Sequence, residues 1–216
     1  MGQVVHQDIL KKYRLSQDRD KVDRVARIGQ RVAQVSDRQD FQYKFYLIDS
    51  KELNAFTTPG GNVYIYTGLY DKLKNDDQVA SVLGHEIGHC SARHTVKKFQ
   101  AAVSYNVIGD IVFNRILAGS RVGNLAALSS SVVMNLVFSA YSRRDEYEAD
   151  RLGLKYMYLA GYNPQGMIEA FEVIKNESKG GEPPLLLASH PYLDDRIKAV
   201  QKEIETVQKN YGEIKQ

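Results

Sequence analysis

His85-Glu86-Ile87-Gly88-His89 sets two imidazoles four residues apart, with a carboxylate beside the first. An α-helix brings both rings onto one face within one turn of each other, close enough to share a metal, so the segment reads as a helix whose histidine face is turned toward further ligands. A tetrahedral zinc ion takes one nitrogen from each ring, while the adjacent glutamate reaches a water on the same metal instead of binding the metal itself. The flanking residues agree. Asn75, Asp76 and Asp77 offer capping side chains and negative charge for a helix start, and Val79, Val82, Leu83 and Ile87 continue it through the motif.

The rest of the chain divides into two kinds of pattern. Val22, Val25, Ile28, Val32 and Val35 recur at helical intervals, and the character changes at Phe41. Tyr43 to Ile48, Leu53 to Thr57 and Asn62 to Tyr66 read as strands by their aromatic and branched content, the last two flanking the turn Pro59-Gly60-Gly61. From Phe99 onward helices dominate, with breaks at Gly109, Gly119 and Gly161-Tyr162-Asn163-Pro164 and a loop over Lys179 to Pro184. Ile197, Val200, Ile204 and Val207 give the last helix an apolar stripe. The expected fold is α+β, mostly α-helical, with a small three-stranded sheet beside the HExxH helix. At 216 residues and 43% hydrophobic content, one domain over 1–216 is expected, with an N-terminal helical segment at 1–40 and the core at 41–216.

Composition narrows the function classes. The net charge of +3 comes from charges of both signs, and no run of lysine and arginine is dense enough for a nucleic-acid groove. The single cysteine, Cys90, excludes an intrachain disulfide and a multi-cysteine zinc site. Met1 to Asp8 lacks the basic start and apolar run of a secretion signal. Val122 to Ser142 has the length of a membrane span, but Gly123, Asn124, Ser129, Ser130, Ser131, Asn135 and Ser139 make it too polar, and a buried or membrane-contacting helix is expected. Val107, Ile108, Ile111, Val112 and Leu117 offer an apolar surface to a membrane or another subunit.

Two histidines alone make a weak metal site, so a third ligand must come from elsewhere. Cys90 follows His89 by one residue, about 100° around the helix, and is expected to point away. His94 comes five residues after His89, where the metzincin pattern needs six, and reads as a helix-surface or packing residue. Further on, Glu146 and Asp150 share a face of a second helix. One carboxylate there completes a two-histidine, one-glutamate site, and the other holds a ligand histidine by its free ring proton. Spacing alone fits equally a solvated face on which Arg143 and Arg144 pair with the acids.

These segments together resemble the gluzincin (HExxH) zinc metallopeptidases, the family that includes HtpX, BepA and the CAAX prenyl proteases. The resemblance is carried by His85 to His89, by Ser142-Arg143-Arg144 with Glu146 to Asp150, by Asn54-Ala55-Phe56 before Pro59-Gly60-Gly61, and by Ser189-His190-Pro191 with Asp195-Arg196-Ile197. It implies a zincin-like metallopeptidase domain in which His85, His89 and Glu146 bind one zinc ion and Glu86 is the general base. Asp150 would hold a ligand histidine from behind, and Arg196 would support the site. His190, by itself plainly read as a loop histidine, would by this resemblance steady the oxyanion or cap the zinc. Asn54, Ala55 and Phe56 would contribute to substrate binding.

An extended peptide would pair with an exposed edge, either Asn62 to Thr67 or Leu53 to Thr57, which favours unfolded or misassembled polypeptides as substrates. The absence of convincing apolar spans around the catalytic helix makes the resemblance closest to soluble, BepA-like members of the bacterial cell envelope. It implies a periplasmic or membrane-associated location, with contacts to the membrane surface or to outer-membrane assembly. The rival expectation is a chaperone-like or assembly factor that binds polypeptide and keeps a latent zinc site.

Overall fold

The computed structural model describes residues 2–40, 42–102, 130–178 and 184–212. Helices α1 (Gly2–Lys12) and α2 (Arg19–Ala33) open the chain, and strands β1 (Lys44–Ile48), β2 (Ala55–Thr58) and β3 (Asn62–Tyr66) follow. A short α3 (Thr67–Tyr70) leads to α4 (Asp76–Ser91), which carries the histidine motif, and α5 begins at 94 and runs to 102 where the description breaks. Beyond the break come α6 (Ser130–Phe138), α7 (Arg143–Leu159), α8 (Gln165–Glu177), α9 (Leu185–Ser189) and α10 (Leu193–Tyr211).

Local chemistry sets the boundaries. The Asp18 side chain caps α2 by accepting from the Lys21 N–H, and Asn75 caps α4 by accepting from the Gln78 N–H. Val35, though in phase with the α2 stripe, lies beyond the helix end. Gly161, at φ +83°, turns the chain between α7 and α8 in a conformation that side-chain-bearing residues avoid.

The sheet has the order β1-β3-β2, with β1 parallel and β2 antiparallel to β3. The segment Asn62 to Thr67 is therefore central and offers no edge, which corrects one of the two expected peptide-pairing sites. Leu15 bridges to Ile48 along the outer side of β1. Among the described residues, β2 keeps its outer edge free of strand pairing.

Alternation along the strands feeds two cores. Leu47, Ala55, Val63 and Ile65 join Val25, Ile28 and Val32 of α2 and Val79, Leu83 and Ile87 of α4. On the other face, Ile48, Phe56, Tyr64 and Tyr66 pack with Val5 and Ile9 of α1 and Met134 and Val137 of α6. Tyr64 and Tyr66 are wholly buried packing residues, with Phe56 stacked on Tyr64 at 4.7 Å.

Helix α4 is buried at every position from Gln78 to Cys90, enclosed by α2, α7, α8 and the sheet. Its contact with α7 is made backbone to backbone. A Cβ added to Gly88 would lie 2.6 Å from the Ala149 carbonyl oxygen, and one added to Gly153 would lie 2.7 Å from the His85 nitrogen. Glycines and an alanine four apart on each helix permit that approach, which brings the first turns of α7 onto the histidine face. Gly88→Ala is expected to force the helices apart and destabilise the protein by about 1–3 kcal/mol, as an overpacked core does. An unchanged melting temperature in that variant would show that the crossing has slack.

No described helix is long and apolar enough to cross a membrane. Within 122–142, residues 130–138 form α6, and 122–129 lie outside the described residues. The apolar surface expected from Val107 to Leu117, the breaks at Gly109 and Gly119, and most of the loop at 179–184 also lie outside them.

Candidate metal centre

Four helices converge on one buried point. His85 and His89 project from α4, and Glu146 comes from the first turn of α7, whose start is fixed by a capping box between Ser142 and Asp145. His190 follows α9 as its C-cap, and Arg196 reaches in from the start of α10. One donor atom each from His85, His89, Glu146 and His190 lies within 4.8 Å of the others, and all four residues are buried.

The donor directions fit a cation. His85 Nε2 stands 3.1 Å from His89 Nε2 and 3.2 Å from His190 Nδ1. Glu146 Oε1 is 3.3 Å from His89 Nε2 and 3.0 Å from His190 Nδ1. Imidazole nitrogens and a carboxylate oxygen aimed at a common point are the donor set of a tetrahedral divalent metal. Beside them, Glu86 is fully buried and neither of its carboxylate oxygens has a hydrogen-bond partner. Burial pushes its pKa above the ordinary glutamate value.

Arg196 organises the outer side. Its Nε and Nη2 lie 2.7 and 2.6 Å from the two oxygens of Asp150, and its Nη1 pairs with Glu146. Asp150 in turn faces His85 Nδ1 at 2.8 Å. Burial alone would raise both carboxyl pKa values. Arg196 holds Asp150 below the ordinary range, and His190 together with Arg196 holds Glu146 well below it. His89 is pushed well below the ordinary histidine value, chiefly by burial.

The structure thus gathers His85, Glu86, His89, Glu146, Asp150, His190 and Arg196 at one place. Cys90 points elsewhere, its Sγ 2.9 Å from Thr57 Oγ1 on β2. Asn54, Ala55 and Phe56 are buried at the start of β2 and belong to no part of this cluster. The Asn54 carbonyl accepts from the Tyr66 N–H at 3.0 Å, so by antiparallel alternation Ala55 and Thr57 turn their backbone groups to the free edge.

Two neighbours, Tyr141 and Lys98, escape sequence reasoning, and a third, His94, is expected from sequence only as a helix-surface or packing residue. His94 is buried, with its Nδ1 3.0 Å from His89 Nδ1, because Arg93 adopts φ +61° and breaks α4 from α5. Tyr141 stacks on the His89 ring at 3.9 Å, and Lys98 Nζ lies 3.6 Å from the Tyr141 ring centre. Burial lowers the Lys98 pKa to about 8. Nothing in the spacing of Tyr141 or Lys98 signals this, whereas the buried His94 was open to the packing reading.

A histidine helix crossed at backbone contact by a carboxylate helix, next to a small sheet, defines a zincin-like peptidase domain. Residues 19–204 match Peptidase family M48, and the chain belongs to that family. It is 27% identical over 175 residues to the beta-barrel assembly-enhancing protease of Escherichia coli (strain K12), an alignment covering 79% of this chain and 36% of that protein. It is 31% identical over 167 residues to metalloprotease LoiP of the same organism, covering 76% of this chain and 62% of LoiP. The mitochondrial metalloendopeptidase OMA1 of Schizosaccharomyces pombe is 30% identical over 187 residues, covering 85% of this chain and 53% of that protein. The chain therefore spans about a third of the first of these relatives and about half of the last.

Proposed function

We propose that this chain is a zinc-dependent metalloendopeptidase that hydrolyses peptide bonds in unfolded or misassembled proteins. His85, His89 and Glu146 hold one zinc ion. The observation that carries the reading is the convergence of these donors beside a buried carboxylate, Glu86, that makes no hydrogen bond and faces His190 Nε2 at 3.5 Å.

A zinc ion held by these three residues would supply Lewis-acid activation of a water and of the scissile carbonyl. Glu86 accepts the water proton and later delivers it to the leaving amine, a task suited to a carboxylate whose burial raises its proton affinity. His190, one of the four residues of the donor cluster, donates to the developing oxyanion once the other three hold the metal. Asp150 fixes the His85 ring through Nδ1, and Arg196 holds both acids in place.

Two features support a polypeptide substrate. The outer edge of β2 (Ala55–Thr58), just after Asn54, carries no strand pairing among the described residues, and an extended strand would pair there once the neighbours that bury it make way. A small recess of about 30 Å³ opens beside His85, Glu86 and His190, and its apolar wall includes Val82, Phe171, Ile174 and Leu186, as suits contact with the tip of an apolar side chain. A bacterial envelope location, periplasmic or at the membrane surface, and a role near outer-membrane assembly are supported by the likeness to the beta-barrel assembly-enhancing proteases.

One observation favours the rival reading of a latent, chaperone-like factor. His190 Nδ1 stands among the ligand atoms, where it would close the position a water needs. Zinc analysis with a casein-cleavage assay tests both. The catalytic reading expects the native chain to hold zinc and cut casein, and His190→Ala to keep its zinc and lose about a hundredfold in rate. A gain of activity in His190→Ala would favour latency, and a native chain without zinc under metal-replete conditions would refute the proposal.

A further inference from the structure

We infer that His94 is a positioning residue for the metal centre: its Nδ1 accepts the Nδ1–H of His89 and so keeps the His89 Nε2 lone pair turned to the metal. The inference rests on the zinc reading proposed above. The two Nδ1 atoms are 3.0 Å apart and both rings are buried. Two ring nitrogens at that distance share one proton, so one must donate and the other accept. A His89 that gives its Nε2 lone pair to a cation carries its single proton on Nδ1, which makes His94 Nδ1 the acceptor.

The proton of His94 then lies on Nε2, and the surroundings fit that tautomer. Asp145 Oδ1 stands 3.3 Å from His94 Nε2, and Glu148 Oε2 stands at 3.5 Å. Neither contact has hydrogen-bond geometry, and the two nearby negative charges favour a proton on the nitrogen that faces them. Asp145 is itself fixed, since its other oxygen takes part in the α7 capping box with Ser142. Each metal-facing histidine of α4 thus has its own holder. His85 meets the charge of Asp150 directly, whereas His89 meets the charge of Asp145 and Glu148 through a neutral ring.

Chain geometry makes this arrangement specific. On an unbroken helix, five residues would turn His94 well off the His89 face. The left-handed turn at Arg93 returns it. Tyr141, stacked at 3.9 Å and nearly parallel, closes one face of the His89 ring, so the ring is held at its edge and at its plane.

The test compares His94→Leu with His94→Asn, whose Oδ1 can stand where the ring Nδ1 stood. Zinc affinity is measured by competition with a chromophoric chelator, and folding by the melting temperature of the metal-free forms. His94→Leu is expected to bind zinc about 10- to 100-fold more weakly, and His94→Asn to recover to within about threefold of the native chain. Equal affinities for Leu and Asn overturn the inference alone; a native chain that binds no zinc overturns the zinc reading and the inference with it. Should His94→Leu fail to fold, the histidine tautomers of the native zinc-loaded protein decide by nitrogen-15 NMR. A proton on His94 Nδ1 refutes the inference, and a proton on His94 Nε2 with His89 protonated at Nδ1 supports it.

Discussion

Glu86→Gln is expected to abolish casein cleavage, by about 10²- to 10⁴-fold, while zinc stays bound. The metal is retained because Glu86 lies outside the ligand group formed by His85, His89, Glu146 and His190. Catalysis is lost because an amide has no site from which to take the water proton. The same substitution removes a buried charge that no hydrogen bond offsets, and a neutral amide of nearly the same shape is cheaper to bury. The variant is therefore expected to melt at or above the native temperature, a trade of stability against function common at active sites. Cleavage within tenfold of native, measured on variant protein shown to hold zinc, would remove Glu86 from the proposed mechanism.

Arg196→Met is the second large effect expected. The guanidinium is buried and bonded to both Asp150 and Glu146, so its loss leaves two buried carboxylates without their cation. Breaking a buried pair from one side costs about 3–5 kcal/mol, which for a domain of this size lowers the melting temperature by about 10 °C. Zinc supplies positive charge next to Glu146, so added zinc should recover more stability in the variant than in the native chain. Calorimetry with and without zinc measures both terms. Equal zinc-induced shifts would mean that Arg196 acts on Asp150 alone.

How far the sequence reached can be judged from particular elements. Strand β3 matches its aromatic and branched run, since burial on both faces leaves Asn62 at its first position as the one non-aromatic polar residue in it. Strand β2 begins later than expected, at Ala55, because Leu53 and Asn54 have strand-like neighbours but lie ahead of the first ladder residue. The short α9 is missed because five residues after Pro183-Pro184 carry no periodicity. At the site, His85 and His89 were legible because both belong to one helix. Glu146 and Asp150 were ambiguous by spacing, since solvated acids at i and i+4 look the same as ligands. What resolves them is the contact of α7 with α4, and its trace in the sequence is only Gly84, Gly88, Ala149 and Gly153, small residues four apart on each helix. His94 was obscured by one backbone angle at Arg93, which no composition or period announces.

The backbone contact between α4 and α7 has a consequence for how such a centre can diversify. Where two main chains touch, the separation of the ligands is set by the peptide backbone and not by side chains that lean one way or another. The β2 edge and the α8, α9 and α10 walls of the apolar recess belong to other elements. Their shape can change while the ligand spacing does not, so which polypeptides the cleft admits and how tightly the metal is held are separately adjustable properties of this fold.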